Sequence, residues 1–89
     1  MTVAAADVVL ISKPHCEYCE LAKVILDRLG TGFAMQVREV SVEDPEGAAL
    51  AERHGVVFAP GILIDGHLAS YGRPSERRLR RLLEARRAR

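Results

Sequence analysis

The sequence predicts an α/β fold with elements in the order β-α-β-α-β-β-α, forming a four-stranded mixed sheet flanked by three helices. Three observations carry this expectation. An unbroken apolar run, "DVVLIS" (7–12), is followed by a helical stripe and then by an alternating stretch, the signature of a strand–helix–strand unit. Asp65-Gly66 separates two strand-like stretches, a strong two-residue hairpin signal. The stretch from Arg73 to Arg89 combines a narrow leucine stripe with many arginines, as expected of a helix that docks on one side only.

Residues 7 to 12 show so little alternation that they suit a strand buried on both faces. In "EYCELAKVILDRL" (17–29), Leu21, Ala22, Ile25, Leu26 and Leu29 fall on one helical stripe, and Gly30 and Gly32 supply the stop. "MQVREV" (35–40) alternates. Met35, Val37 and Glu39 share one face, and Gln36, Arg38 and Val40 the other, so this strand has at least one wetter side. Asp44 then fits an N-cap and Pro45 a first helical position. Ala48, Ala49, Leu50 and Ala51 give a short helix ended by Gly55. The hairpin runs from Gly61 to Ile64, turns at Asp65-Gly66 and returns over His67 to Tyr71, with Pro60 just ahead of it where no ladder bond is lost. The last helix starts at Pro74 or Ser75 and carries Leu79, Leu82 and Leu83. The first crossover requires a parallel, buried strand pair, and the hairpin adds an antiparallel edge.

With 89 residues, 48% of them hydrophobic and 28% charged, the chain fits one globular domain over 1–89. No apolar run approaches the roughly 18 residues that span a bilayer. "MTVAAADVVLISK" has no basic start and is interrupted by Asp7, so it reads as the first strand and not as a signal peptide. A cytoplasmic monomer without membrane contact is the expectation. Charge is uneven: residues 1–72 hold five Lys/Arg against ten Asp/Glu, whereas 73–89 hold eight Arg against Glu76 and Glu84. A solvated outer face on the last helix accounts for this more simply than a partner does. With no Trp, and only Phe33, Phe58, Tyr18 and Tyr71 as aromatics, no stacking platform for nucleic acid is present.

"SKPHCEYCE" (12–20) holds both cysteines. A structural bridge between them would close a tiny loop and stabilise little. A zinc site needs four ligands, and His15, His54 and His67 lack the spacing of a ligand pair. A redox pair has positive support. A strand ends at Ser12, a short loop follows, and Cys16 lands at a helix start, where free N–H groups and the helix dipole stabilise a thiolate. Cys16 is then the attacking thiolate, and Cys19, one turn further in, the resolving thiol. Lys13 and His15 add positive potential; Glu17 and Glu20 oppose it.

"SKPHCEYC" resembles the glutaredoxin motif S-K-x-x-C-P-Y-C, with Ser12, Lys13, Cys16, Tyr18 and Cys19 matching. "FAPGILIDG" resembles that family's T-V-P-x-x-F-I-D-G, with Pro60 at the cis-proline position and Ile64, Asp65 and Gly66 matching the hairpin. The likeness covers residues 7 to 84. It implies the thioredoxin/glutaredoxin fold and a thiol–disulfide oxidoreductase of protein or low-molecular-weight disulfides, acting in electron transport and cell redox homeostasis. It also implies that Cys16 is the nucleophile, that the Ala59 backbone pairs with an extended substrate beside Pro60, that Lys13 attracts a carboxylate, and that Tyr18 lines the groove. Tyr71 stands where that groove should end. No metal or organic cofactor is implied for this activity; the electrons come from an external thiol or a reductase. Within the same family, carriage of an iron–sulfur cluster between two subunits is the alternative, and a non-catalytic interaction module is another.

Three departures bear on chemistry. Glu17 replaces the motif's proline, which frees the loop and opposes the thiolate, so a more reducing pair is expected. Phe58 and Ala59 replace Thr and Val before Pro60. "ASYGRPSE" replaces the stretch that ends in a polar-acidic pair, and Arg73 stands about where an acid would receive the glutathione ammonium. A donor other than glutathione is therefore expected. Among the remaining histidines, His54 reads as a partner of its helix C-terminus and His67 as a solvated turn residue.

Overall fold

The structure, a computed structural model, describes residues 4–88; residues 1–3, part of the stretch read above as strand, and Arg89 of the basic tail lie outside the described residues. Among these, the elements are β1 (Ala6–Ser12), α1 (Glu17–Leu29), β2 (Met35–Ser41), α2 (Pro45–His54), β3 (Gly61–Ile64), β4 (His67–Tyr71) and α3 (Glu76–Arg87). The sheet order is β2-β1-β3-β4. β1 pairs with β2 in parallel and with β3 antiparallel, and β3 pairs antiparallel with β4. The expected fold class is the one found. Among the described residues, no helix is long and apolar enough to cross a membrane.

β1 is central and is buried on both faces, as its unbroken apolar run predicts. Ala6, Val8 and Leu10 join Ala22, Ile25, Leu26 and Leu29 of α1 and Leu79 and Leu83 of α3 in one core. Val9 and Ile11 face the other way, into a smaller core with Val40 and Leu63, closed by Leu50 and Ala51 of α2. Burying an aliphatic side chain of this size contributes about 1.5–3 kcal/mol, so the fold rests on these two layers.

The expectation of a buried parallel pair holds for β1 only. β2 is an edge strand: Gln36, Val37, Arg38 and Glu39 are exposed, and only Val40 is fully buried. A parallel partner needs no neighbour on its far side, so the crossover leaves β2 with one open edge. The helical stripes are also narrower than spacing suggests. Leu21 (38% exposed) and Leu82 (36%) sit at the margins of their stripes, beyond the reach of the sheet. In α2, Ala48 and Ala49 are exposed, while Gly47 is buried.

Local signals place the ends well. Gly55 takes φ 69° and caps α2, and Val56 N–H donates to Ala51 O at 2.8 Å. Asp65 and Gly66 both have positive φ, 50° and 82°, as a type I′ hairpin requires. Asp65 does more than turn the chain: its Oδ1 accepts the Asp7 N–H at 3.0 Å and its Oδ2 pairs with Arg86. The basic helix is accordingly not a uniformly solvated face. Arg86 also reaches Ala5 O, Arg87 lies 4.4 Å over the Phe33 ring, and Arg78 Nε donates to Ala69 O at 2.8 Å.

α1 and α3 are clamped at the surface by Arg28, which donates to Glu76 through Nη2 (2.7 Å) and Nε (3.0 Å). That hydrogen bonding holds the Glu76 carboxyl below its ordinary range, with the charges of Arg28 and Arg80 adding to it against partial desolvation. A depressed carboxyl pKa stabilises the fold above the ordinary carboxylate range, and that contribution is lost as pH falls through the folded value. Wild-type protein is therefore more stable than Glu76→Gln near neutrality, by a small margin because the pair is exposed, and the two converge in acid. Urea titrations of both proteins from about pH 7 to about pH 3 check this; a gap that stays constant with pH would refute it.

Candidate active site

β1 delivers Ser12 to the sheet's end, and Ser12 O accepts the Val42 N–H at 2.8 Å. Its hydroxyl donates to Glu39 Oε2 at 2.7 Å. The chain then turns through Lys13, Pro14 and His15 (φ 55°) to Cys16, the N-cap of α1. In this extended cap conformation (φ −123°, ψ 106°) Cys16 Sγ accepts the Cys19 N–H at 3.1 Å. A sulfur at this cap takes the place of the usual Ser or Asp oxygen and meets the positive end of the helix dipole. Cys16 and Cys19 are joined by a disulfide, with their Cα atoms 5.2 Å apart. Cys16 is half-buried; Cys19 is 1% exposed. One turn of helix thus presents one sulfur to solvent and shields the other.

Facing the pair is the segment before β3. The Ala59–Pro60 peptide bond is cis, as the resemblance of "FAPGILIDG" to the family motif implies. Gly72 N–H donates to both Phe58 O (3.1 Å) and Pro60 O (2.9 Å), tying this segment to the end of β4. Gly72 adopts φ 77°, a conformation that a residue with a side chain rarely takes. Between the two segments lies an open groove of about 480 Å³, lined by Lys13, His15, Cys16, Glu17, Tyr18, Phe58, Ala59, Gly72 and Arg73.

Of the residues singled out from sequence, Lys13, Cys16, Tyr18 and Ala59 meet in this groove. Pro60 is fully buried beneath it, and Cys19 lies behind Cys16. Tyr71 is not brought in. It lines a separate cavity of about 330 Å³ with Leu68, Ala69, Ser70, Arg73, Ser75 and Arg78. The β3–β4 register shifts between Ile62 and Leu63, leaving Ala69 as an extra residue in β4, so simple alternation does not carry Tyr71 to the groove. Phe58, 69% exposed, lines the groove and was not among the predicted binding residues. Its place before Pro60 was the only available signal. Gly72 had none, because its role depends on carbonyls more than ten residues upstream. Among the described residues, no three His, Cys, Asp or Glu side chains gather closely enough to hold a metal ion.

A protein-family model described as Glutaredoxin matches residues 8–69. Among curated proteins, the chain is 35% identical over 66 residues to glutaredoxin-C1 of Arabidopsis thaliana, covering 73% of this chain and 53% of that protein. It is 36% identical over 66 residues to glutaredoxin-C6 of Oryza sativa subsp. japonica, covering 73% and 59%. The chain thus spans between half and two thirds of the length of these relatives. Among solved structures, a point mutant of thioredoxin from Halobacterium salinarum superposes with a TM-score of 0.71 at 21% identity, over 92% of this chain and 74% of that one. A thioredoxin-like protein from Clostridium perfringens gives 0.72 at 12% identity, over 91% and 70%. These structures share the fold. The family match runs from β1 through the cysteine pair and Pro60 into β4, the stretch that supplies every groove residue except Gly72 and Arg73, and the chain belongs to the glutaredoxin family.

Proposed function

We propose that this protein reduces protein or low-molecular-weight disulfides by thiol–disulfide exchange, with Cys16 as nucleophile and Cys19 as resolving thiol. The observation that carries this reading is the pairing of a half-buried sulfur at a helix N-cap with a shielded one a turn away. In the reduced state the Cys19 N–H and the helix dipole favour the Cys16 thiolate. It attacks one sulfur of a substrate disulfide. A Cys16–substrate bond forms, the substrate S–S bond breaks, and the leaving thiolate takes up a proton. Cys19, deprotonated, then attacks Cys16 Sγ. The second substrate thiol leaves, and the Cys16–Cys19 disulfide remains. Two electrons have passed to the substrate, and an external thiol or a reductase restores them. The cycle needs no metal or organic cofactor and one copy of the chain, and it suits the reducing cytoplasm, where dithiols persist.

Glu17 lies in the groove beside Cys16. Its charge opposes the thiolate, so it favours the disulfide form and a more reducing couple. Replacement by Gln raises the reduction potential by on the order of 10 mV, the scale of one charge at a helix N-terminus. Redox titration of both proteins checks this; an unchanged or lower potential in Glu17→Gln counts against it. Arg73 in the same groove opposes capture of the glutathione ammonium. Reduction of the Cys16–Cys19 disulfide is therefore faster with a thioredoxin-type reductase than with glutathione. Stopped-flow reduction with each donor tests the reading, and rapid reduction by glutathione alone would contradict it. A brown, dimeric protein after purification without oxygen would point instead to cluster carriage, and a protein that turns over no disulfide would point to an interaction module.

A further inference from the structure

Resting on the oxidoreductase reading, we infer that the substrate of this site is a protein disulfide flanked by acidic residues, and that Arg73 selects it. Arg73 lines both the groove that holds Cys16 and the separate cavity at the end of β4, so the two adjoin at its side chain and make a discontinuous trough from Lys13 past Cys16 to Arg78. The cationic side chains along it are Lys13, Arg73 and Arg78; Glu17 is the one acid lining it among the described residues. Arg78 is held in place by its Nε bond to Ala69 O, which leaves its terminal nitrogens for a ligand. None of the ion pairs among the described residues uses Lys13, Arg73 or Arg78, whereas Arg28, Arg38, Arg80 and Arg86 are all committed to carboxylates. The trough thus carries cations whose charge the fold does not consume. Its apolar walls are Phe58 beside Cys16, 69% exposed, and Tyr71 beyond Arg73, 45% exposed.

The occupant follows from this chemistry. A small disulfide fills the groove at Cys16 but has no reason to cross Arg73 into the second cavity. An extended polypeptide places its cystine at Cys16, an apolar side chain on Phe58, and acidic side chains against Arg73 and Arg78. Lys13, Arg73 and Arg78 against Glu17 leave the trough net positive, and in such a cleft complementary charge raises the rate of encounter by about tenfold and loses that advantage in salt. Transfer follows the balanced exchange given above: the substrate disulfide gains two electrons, and Cys16 and Cys19 become the disulfide.

The test uses two synthetic peptides with the same intramolecular disulfide and apolar residue, one flanked by aspartates and one by lysines, together with a neutral hydroxyethyl disulfide. The protein is kept reduced by a dithiol. At low ionic strength kcat/KM for the acidic peptide exceeds that for the basic one by about tenfold, and the ratio collapses towards unity at about 0.5 M salt. Arg73→Glu lowers or inverts the ratio; Arg73→Gln, a milder change, lowers it if the reversal variant does not fold. Equal rates on the two peptides in wild-type protein would overturn the inference. So would a ratio untouched by either Arg73 variant, or a higher kcat/KM for glutathione disulfide than for the acidic peptide. Failure on every disulfide, the neutral one included, would overturn the oxidoreductase reading itself and this inference with it. Turnover of the neutral disulfide without charge preference would leave that reading standing and remove only the choice of substrate.

Discussion

Replacing Cys16 with serine lowers the rate of disulfide reduction by at least roughly 10³-fold, the scale on which loss of an enzymatic nucleophile is felt, while the protein stays folded. Cys16 is half-buried at the cap of α1, and its sulfur meets solvent in the groove. Cys19, 1% exposed, lies too deep to reach a disulfide in another protein. A serine hydroxyl at the cap still accepts the first-turn N–H that Cys16 Sγ accepts now, so α1 keeps its start. The bridge itself closes a very short loop, so its loss costs little stability. Cys19→Ser behaves differently. It attacks substrate once and stops as a mixed disulfide, which mass spectrometry detects as the protein plus one substrate. Steady-state turnover and intact-mass analysis of both variants separate the roles. Sustained turnover by Cys16→Ser, or mixed disulfides trapped on Cys19, would reverse the assignment.

The second large effect is on stability, and its sign is unusual. Gly47 lies in the first turn of α2, where Gly→Ala ordinarily stabilises by about 0.5–1 kcal/mol. Here a Cβ would stand 1.9 Å from Ser41 O and 2.5 Å from Ser41 C, and both are backbone atoms that no rotamer change can move aside. α2 must lift from the end of β2, or the Ser41–Val42 segment must shift. Overpacking of this kind costs about 1–3 kcal/mol and occasionally more, so Gly47→Ala loses on the order of 2 kcal/mol net. The consequence reaches the site, because Val42 N–H holds Ser12 O just before the loop to Cys16. Urea denaturation of Gly47→Ala beside Ala48→Gly gives the comparison. Ala48 is exposed, and its variant shows the ordinary loss of about 1 kcal/mol from helix propensity alone. A midpoint for Gly47→Ala at or above wild type would show that the close approach does not constrain α2.

Much of the fold was legible because its signals are local. The run "DVVLIS" needs both faces covered, and β1 has helices on each side. Asp65-Gly66 reads as a hairpin because few residues other than Gly, Asn and Asp accept two successive positive φ values. The crossover pair and the hairpin pair were legible, but which strand stands at the sheet's edge was not. The alternation in "MQVREV" reports that the strand is partly wet, but not that β2 has nothing beyond it. The arginines of α3 looked interchangeable in sequence, yet Arg86 closes on Asp65 and Ala5 while Arg87 covers Phe33. Those partners lie far back in the chain.

The site divides along the same line. Cys16, Cys19, Lys13 and Tyr18 are neighbours in sequence, and the strand-to-helix junction alone dictates that a sulfur caps α1 and a second follows one turn later. Which side chains form the opposite wall depended on how the chain returns. Phe58 and Ala59 come from the segment before β3, while Gly72 and Arg73 follow β4. Tyr71, one residue short of Gly72, lines only the neighbouring cavity, whereas Arg73 lines both. The element order, the hairpin turn and a cysteine pair at a helix start follow from residues close together in the chain, because periodicity, turn geometry and helix capping act over a few residues. That β2 is an edge, that Gly47 must lack a Cβ, and that Arg73 borders two cavities emerge only in three dimensions, because each depends on where whole segments come to lie relative to one another.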